Sequence, residues 1–127
     1  MPAQTRRLHI LLVEDHADTA HAVARLLANE RYVVHCAADG AEALRAAGRA
    51  RFDLLICDLC LPDIDGCEVM QRLKAQFGMA GIAISGRAEA EQMARALDAG
   101  FAHYLVKPIE WQSLKALVGG IGALGND

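Results

Sequence analysis

The chain has 127 residues, of which 54% are hydrophobic and 23% are charged, and its formal net charge is −3. The length suits one domain, covering residues 1–127, and the apolar fraction is too high for a disordered chain. The mild acidity argues against a nucleic-acid-binding protein, which would carry a basic patch. No apolar run approaches the ~20 residues that a membrane span needs, and none suits a signal peptide. We therefore expect a cytoplasmic protein with free cysteine thiols.

Five short apolar runs, each of five or six residues rich in β-branched, leucine or aromatic side chains, predict strands. In chain order they are Leu8–Val13, Tyr32–Cys36, Phe52–Cys57, Gly81–Ser85 and Phe101–Val106. The first, third and fourth runs are apolar almost throughout, which is typical of strands buried on both faces of a parallel sheet. The second and fifth contain His35 and His103, which favours positions at the edges of the sheet.

Between the predicted strands, apolar residues recur at the helical spacing i, i+3, i+4, i+7, and each set predicts an apolar stripe on one helix face. The sets are Ala20, Val23, Ala24 and Leu27; Gly66, Val69, Met70 and Leu73; Ala90, Met93, Ala94 and Leu97; and Leu114, Leu117, Val118 and Ile121. The alternation of strands and helices predicts an α/β fold, a doubly wound parallel sheet of five strands with right-handed crossovers.

The segment between Asp39 and Ala50 has a weaker, alanine-rich helical pattern. Asp39 can cap this helix by accepting a hydrogen bond from its first turn. Glu42, three residues later, can reach back to the cap residue, and the pair would form a capping box.

Polar side chains stand at the carboxyl ends of four predicted strands. They are Glu14 and Asp15 after the first, Asp58 after the third, Ser85 at the end of the fourth, and Lys107 after the fifth. Ligands of open α/β sheets bind beyond the carboxyl ends of the strands, so we expect these residues to meet. Three neighbouring carboxylates repel one another, and a divalent cation relieves that repulsion. Oxygen ligands favour Mg²⁺, bound directly by Asp15 and Asp58 and through water by Glu14.

A site that combines Mg²⁺, an ammonium and a hydroxyl can receive a phosphoryl group. Lys107 and the metal would neutralise the phosphoryl oxygens, and Ser85 would donate a hydrogen bond to one of them. Asp58, at the end of a central strand, is the candidate nucleophile for an aspartyl phosphate. The simpler alternative is that each of these residues is an ordinary helix cap or a solvated loop residue.

Taken together, these motifs resemble the receiver domain of two-component response regulators, from Leu8 to about Ile121. The resemblance rests on Leu12-Val13-Glu14-Asp15, on Asp58-Leu59-Cys60-Leu61-Pro62-Asp63-Ile64-Asp65-Gly66, on Ser85-Gly86 and on Lys107-Pro108. It implies a flavodoxin-like (β/α)5 fold with the strand order 2-1-3-4-5. It also implies a signalling domain that catalyses only its own phosphorylation and dephosphorylation.

The resemblance assigns roles to particular residues. It implies that Asp58 takes a phosphoryl group from a histidine kinase or a histidine phosphotransfer protein. It implies that Mg²⁺ binds Glu14, Asp15, Asp58 and the main-chain carbonyl of Cys60. It also suggests that the Lys107–Pro108 bond is cis, which would turn the lysine back towards the site.

The resemblance also implies a switch. Ser85 and Tyr104 are expected to change position when Asp58 is phosphorylated, because the hydroxyl can swing towards the new oxygens and the ring can fill the space beneath. The face made by the fourth helix, the fifth strand and the fifth helix would then change shape. We expect a protein partner to bind there, around Ala90–Leu97, His103–Leu105 and Trp111–Lys115.

Two other functions fit parts of the sequence less well. Cys57 and Cys60 form a C-x-x-C, but it spans a strand end and has no second pair to complete a zinc site. The pair Asp63 and Asp65 resembles the motif of small Mg²⁺-dependent phosphatases that form an aspartyl phosphate, which is the enzyme alternative. Such an enzyme needs a second acid two residues after its nucleophile, where this sequence has Cys60.

Two further expectations concern the remainder of the chain. The segment after Pro108 is mostly used by the last helix, so we expect no DNA-binding output domain, and there is no glycine-rich nucleotide loop of a kinase. A stand-alone regulator and the receiver portion of a hybrid histidine kinase both remain open. The five histidines show no metal-site spacing and are expected at the surface or on edge strands, with His16 placed to reach the site.

Overall fold

The computed structural model describes residues 7–125, which form five strands alternating with five helices. The strands are β1 His9–Val13, β2 Val33–Ala37, β3 Leu54–Asp58, β4 Ala80–Ser85 and β5 His103–Val106. The helices are α1 Ala17–Asn29, α2 Gly40–Arg49, α3 Gly66–Phe77, α4 Ala90–Ala99 and α5 Trp111–Gly125. Within residues 7–125, no helix combines the length and the apolar character needed to cross a membrane.

All strand pairs are parallel and the sheet order is β2-β1-β3-β4-β5, which confirms the predicted doubly wound topology. β2 and β5 are the edge strands, and they carry His35 and His103, as the polar interruptions predicted. The observed strand boundaries differ from the predicted ones by one or two residues. The difference that bears on function is that β3 extends through Asp58, so this aspartate is the last residue of a buried strand.

The core has two layers, one on each face of the sheet. Alternate residues of β1 show the division, because Leu11 and Val13 pack on one side and Ile10 and Leu12 on the other. The first side is covered by α2, α3 and α4, and the second side by α1 and α5. A central strand with both faces covered explains the continuous apolar sequence of β1 and β3.

The predicted apolar stripe of α4, which is Ala90, Met93, Ala94 and Leu97, does not face the core. Met93 and Leu97 are 37% and 56% exposed. The buried residues of α4 are Ala96 and Ala99. Small alanines let the helix lie close against the sheet, whereas the periodicity rule gives weight to larger apolar residues. The apolar stripe of α4 is therefore a surface feature.

The amino end of α2 is capped nearly as predicted. The Asp39 carboxylate accepts a hydrogen bond from the Glu42 amide at 2.8 Å. The Glu42 carboxylate reaches back to the Ala38 amide, one residue before the cap residue that the capping box requires, so that detail of the prediction is wrong. Asp63 makes two hydrogen bonds that we did not predict. Its carboxylate accepts from the amides of Gly40 and Ala41, both at 2.8 Å, and these bonds join the loop after β3 to α2.

Gly66 begins α3 beside the end of β3. A Cβ at this position would lie 2.6 Å from the Asp58 carbonyl oxygen and 2.8 Å from Leu59 Cα, both of them main-chain atoms. The Gly66 amide also donates to the Leu59 carbonyl at 3.1 Å. Glycine therefore allows the helix to begin against the backbone that presents Asp58.

We predict that Gly66→Ala lowers the free energy of unfolding by about 1–3 kcal/mol, because the added methyl group overpacks against main-chain atoms that cannot turn aside. Gly119→Ala is the matched control. It adds the same methyl group in α5 with no atom within 4 Å, and should raise the free energy of unfolding by about 0.5–1 kcal/mol. Urea unfolding measures both, and equal stability of the two variants would contradict the close approach at Gly66.

Candidate functional site

The register of the sheet brings two acidic residues to one edge. Val13 of β1 is paired with Cys57 of β3, so the next residues, Glu14 and Asp58, stand side by side. The Glu14 amide still donates to the Ala37 carbonyl of β2 at 3.0 Å, which holds its backbone at the end of the sheet. The side chains of Glu14 and Asp58 are almost completely buried, with relative exposures of 5% and 4% for the two residues.

β4 and β5 bring Ser85 and Lys107 to the same edge. Ser85 is paired with Val106, and the Lys107 amide donates to the Ser85 carbonyl at 2.8 Å. The Lys107–Pro108 peptide bond is cis. Ser85 is 6% exposed, and within residues 7–122 only Glu14, Asp58 and Ser85 are buried polar side chains. The buried polar groups of the described chain are thus collected at one point of the fold.

Lys107 joins the two buried carboxylates. Its Nζ lies 2.6 Å from Asp58 Oδ2 and 3.2 Å from Glu14 Oε1. Burial by itself would lower the pKa of Lys107, but the hydrogen bonds to Asp58 and Glu14 and their negative charges outweigh it, so the net pKa is raised above 10.5. Lys107 therefore stays protonated throughout the neutral range, and its contribution to stability is lost only as the pH rises through that raised pKa.

The second oxygen of Asp58 has a main-chain partner. Asp58 Oδ1 accepts a hydrogen bond from the Cys60 amide at 2.9 Å. The Asp58 carboxylate is therefore fixed at both oxygens, by the Lys107 ammonium on one side and the loop after β3 on the other. Cys60 is exposed while Cys57 is fully buried, and all four cysteines are free thiols.

Asp15 and His16 complete the polar group. One carboxylate oxygen each of Glu14 and Asp15 and one ring nitrogen of His16, which are atoms able to bind a metal ion, all lie within 4.8 Å of one another. His16 Nδ1 is 3.0 Å from Glu14 Oε2 and 3.4 Å from Asp15 Oδ1. The carboxylate oxygens of this edge fit Mg²⁺, a hard cation that takes one or two carboxylates and keeps several waters. Asp58 is joined to this group through Lys107, which Asp58 and Glu14 share.

Ser85 and Tyr104 are joined through the main chain of Arg87. The Arg87 amide donates to Ser85 Oγ at 3.1 Å, and the Tyr104 hydroxyl donates to the Arg87 carbonyl at 2.7 Å. The Tyr104 ring packs against the core layer covered by α2, α3 and α4. Because both contacts use backbone atoms, no residue type at position 87 could have revealed them.

With this geometry defined, comparisons identify the family. The response regulator receiver domain model matches residues 10–119. The chain belongs to the receiver domain family of response regulators. A receiver domain is a signalling domain of two-component systems, and its phosphoacceptor role fits the acidic site described above. The comparisons do not favour the phosphatase alternative.

Named relatives agree with this assignment. The receiver domain is 33% identical over 111 residues to the transcriptional regulatory protein HprR of Escherichia coli, covering 87% of this chain and 50% of that protein. It is 33% identical over 109 residues to the response regulator ArlR of Staphylococcus aureus, covering 86% and 50%. The chain thus spans about half the length of these curated relatives.

A solved structure shows the same fold. The CheY-like receiver domain protein of Methanospirillum hungatei superposes with a TM-score of 0.88 at 28% identity, covering 93% of this chain and 95% of that one. Coverage is therefore almost complete in both directions.

We predict that Lys107→Met lowers the free energy of unfolding by ~2 kcal/mol in metal-free buffer, because it leaves two buried carboxylates without a cation. Added Mg²⁺ should restore more stability to this variant than to the unmodified protein, since the metal then supplies the missing charge. Thermal unfolding with and without Mg²⁺ is the measurement.

Lys115→Met is the matched control for this prediction. Lys115 lies 3.6 Å from Glu30 in an exposed ion pair, so its loss should change stability by less than about 0.5 kcal/mol. If Lys107→Met is no less stable than Lys115→Met, the buried ion pair does not stabilise the site as described.

Proposed function

We propose that this receiver domain takes a phosphoryl group from the phosphohistidine of a histidine kinase or a histidine phosphotransfer protein onto Asp58. The observation that carries the proposal is the pairing of the buried Asp58 carboxylate with the Lys107 ammonium at 2.6 Å. A carboxylate at a sheet edge beside a fixed cation can act as a nucleophile towards a phosphoryl group and can balance the charge that this group brings.

The proposed transfer is an in-line displacement at phosphorus. One carboxylate oxygen of Asp58 forms a bond to phosphorus while the bond from phosphorus to the donor imidazole nitrogen breaks. The imidazole keeps the electron pair of that bond and takes a proton from solvent. Lys107 moves from the carboxylate to a phosphoryl oxygen, Ser85 donates its hydroxyl hydrogen bond to another, and the Cys60 amide continues to orient the remaining carboxylate oxygen.

Mg²⁺ is the proposed cofactor. Glu14, Asp15, Asp58 and the main-chain carbonyl of Cys60 would hold it. When bound, the ion neutralises negative charge on the phosphoryl oxygens, a role typical of phosphoryl-transfer sites. The chain's own contribution is to keep the acidic residues and Lys107 in one place.

We also propose the extent of the domain, its cellular location and the kind of protein in which it acts. We assign residues 1–127 to one receiver unit with its core at about residues 8–121, acting in the cytoplasm, where free thiols such as these four remain reduced. Its covalent chemistry is confined to its own phosphorylation and dephosphorylation. The unit serves either as a stand-alone regulator or within a hybrid histidine kinase, and it acts through protein contacts and not by binding nucleic acid or membrane itself.

We predict that incubation with acetyl phosphate and Mg²⁺ adds one phosphoryl group that is stable to acid and labile to base. Asp58→Ala should abolish the label because the only nucleophile of the proposed reaction is gone. Intact-protein mass spectrometry measures the result.

Asp98→Asn is the control for the labelling experiment. It removes an exposed carboxylate of α4 that is not one of the residues at the sheet edge. It should take up the label to the same extent as the unmodified protein. Retention of the full label in Asp58→Ala would contradict the assignment of the phosphoacceptor.

The proposed output surface is the face of α4, β5 and α5. It carries exposed apolar side chains, namely those of Met93, Leu97 and Val106. Trp111 of α5 is half-buried and packs against the core layer of α1 and α5. Exposed apolar side chains on adjacent elements of one face favour a protein partner.

The connection from Asp58 to this surface runs through Arg87. A phosphoryl group on Asp58 would draw the Ser85 hydroxyl towards it, and Ser85 Oγ now accepts from the Arg87 amide. Movement of Arg87 would in turn affect its carbonyl, which the Tyr104 hydroxyl contacts. Tyr104 would then exchange a hydrogen bond for apolar contact, which gives two arrangements of similar energy.

We predict that beryllofluoride, a phosphoryl mimic, shifts the amide resonances of Tyr104 and of α4 as well as those of the loops around Asp58. In Ser85→Ala the loop shifts should persist while those of Tyr104 and α4 fall several-fold, since coupling of ~1–3 kcal/mol passes through the hydroxyl. Thr19→Ala, which removes an exposed hydroxyl from α1, is the control and should leave all shifts in place. Full shifts of Tyr104 and α4 in Ser85→Ala would show that the signal takes another route.

A further inference from the structure

His16 is positioned over the acidic pair that precedes it. It occupies the position before α1, but its side chain makes no capping hydrogen bond. Its main-chain amide donates to Glu14 Oε2 at 3.1 Å, and its ring Nδ1 lies 3.0 Å from the same oxygen. The side chain is 71% exposed, so the ring turns back onto Glu14 and Asp15 although solvent is open to it.

His16 Nδ1 and Glu14 Oε2 are within hydrogen-bond distance of each other, and the same spacing suits two ligands of one cation. Two ligands at right angles on a metal with bonds of about 2.1 Å stand roughly 3.0 Å apart. His16 Nδ1 is 3.0 Å from Glu14 Oε2 and 3.4 Å from Asp15 Oδ1, and the three ligand atoms span no more than 4.8 Å. One cation can therefore contact all three groups with small adjustments of side chains.

The other contacts of Glu14 and His16 leave Glu14 Oε2 and His16 Nδ1 available to a cation. Lys107 occupies Oε1 of Glu14, so Oε2 is the oxygen that faces His16. A metal-bound Nδ1 requires the ring proton on Nε2, and water can accept a hydrogen bond from that nitrogen on a ring so exposed. Nothing in the Lys107–Asp58 pair has to change for the imidazole to act as a ligand.

We propose that His16 Nδ1 is a direct ligand of the cation at this edge, and that it makes the site favour divalent ions that accept nitrogen, such as Mn²⁺, over Mg²⁺. The inference rests on the proposed function in one respect, since it concerns the same cation site. Mg²⁺ prefers oxygen ligands and gains little from an imidazole, whereas first-row transition metals bind imidazole well. Added to the acidic ligands of the proposed site, the His16 imidazole is therefore a specificity determinant for the metal.

The test uses the unphosphorylated protein with Mn²⁺ or Mg²⁺ alone, in mildly alkaline buffer where ordinary imidazoles are neutral. Calorimetric titration should show that His16→Asn weakens Mn²⁺ binding about tenfold and Mg²⁺ binding less than about twofold. Pulsed electron paramagnetic resonance of bound Mn²⁺ should show coupling to an imidazole nitrogen that disappears in His16→Asn. Thermal unfolding without metal verifies that the variant is folded.

His21→Asn is the matched control, because it makes the same change on the exposed side of α1 and should alter neither affinity nor nitrogen coupling. Absence of nitrogen coupling in the unmodified protein, or an unchanged ratio of Mn²⁺ to Mg²⁺ affinity in His16→Asn, would overturn the proposal. Neither result depends on phosphorylation. Loss of labelling at Asp58 with nitrogen coupling intact would count against the proposed function alone.

Discussion

One ammonium held between two buried carboxylates is the interaction on which the site depends. Lys107 contacts both Glu14 and Asp58, and each carboxylate uses its second oxygen for a different partner, His16 Nδ1 for Glu14 and the Cys60 amide for Asp58. Buried charges are costly unless they are paired and hydrogen-bonded, so this arrangement is strongly specified. Two carboxylates and one ammonium still leave an excess of negative charge, which favours binding of the proposed divalent cation.

Several elements of the fold position the residues of this sheet edge. Parallel pairing places the ends of β1 and β3 side by side, and Gly66 lets α3 begin against the Asp58 backbone. The same sheet carries Ser85 and Tyr104 on neighbouring strands, and their hydroxyls meet the amide and the carbonyl of Arg87. In the proposed switch, these contacts of Arg87 connect Ser85 with Tyr104 and hence with the apolar face of α4 and β5.

The parallel sheet and the meeting of the acidic residues could be predicted from sequence regularities, whereas the strand order 2-1-3-4-5 came from the resemblance to receiver domains. Buried parallel strands are continuous apolar runs, and polar residues at their ends must share one edge. Features that depend on packing or on main-chain contacts were not predicted, because no single residue type reveals them. The buried face of α4 depends on Ala96 and Ala99 fitting close to the sheet, and the link between Ser85 and Tyr104 uses backbone atoms of Arg87. The turn of His16 onto Glu14 depends on local backbone geometry, so the sequence predicted only that this residue could reach the site.

The most direct measurement of the central claim is chemical location of the modified residue. Borohydride reduces an aspartyl phosphate to homoserine, which tandem mass spectrometry then places on a single peptide position. The account predicts homoserine at position 58 and at no other aspartate of the β3–α3 region, because Asp58 is the one aspartate of that region that is buried and held against Lys107. Homoserine at position 63 or 65 instead would contradict it, since those carboxylates serve the helix ends and not the sheet edge.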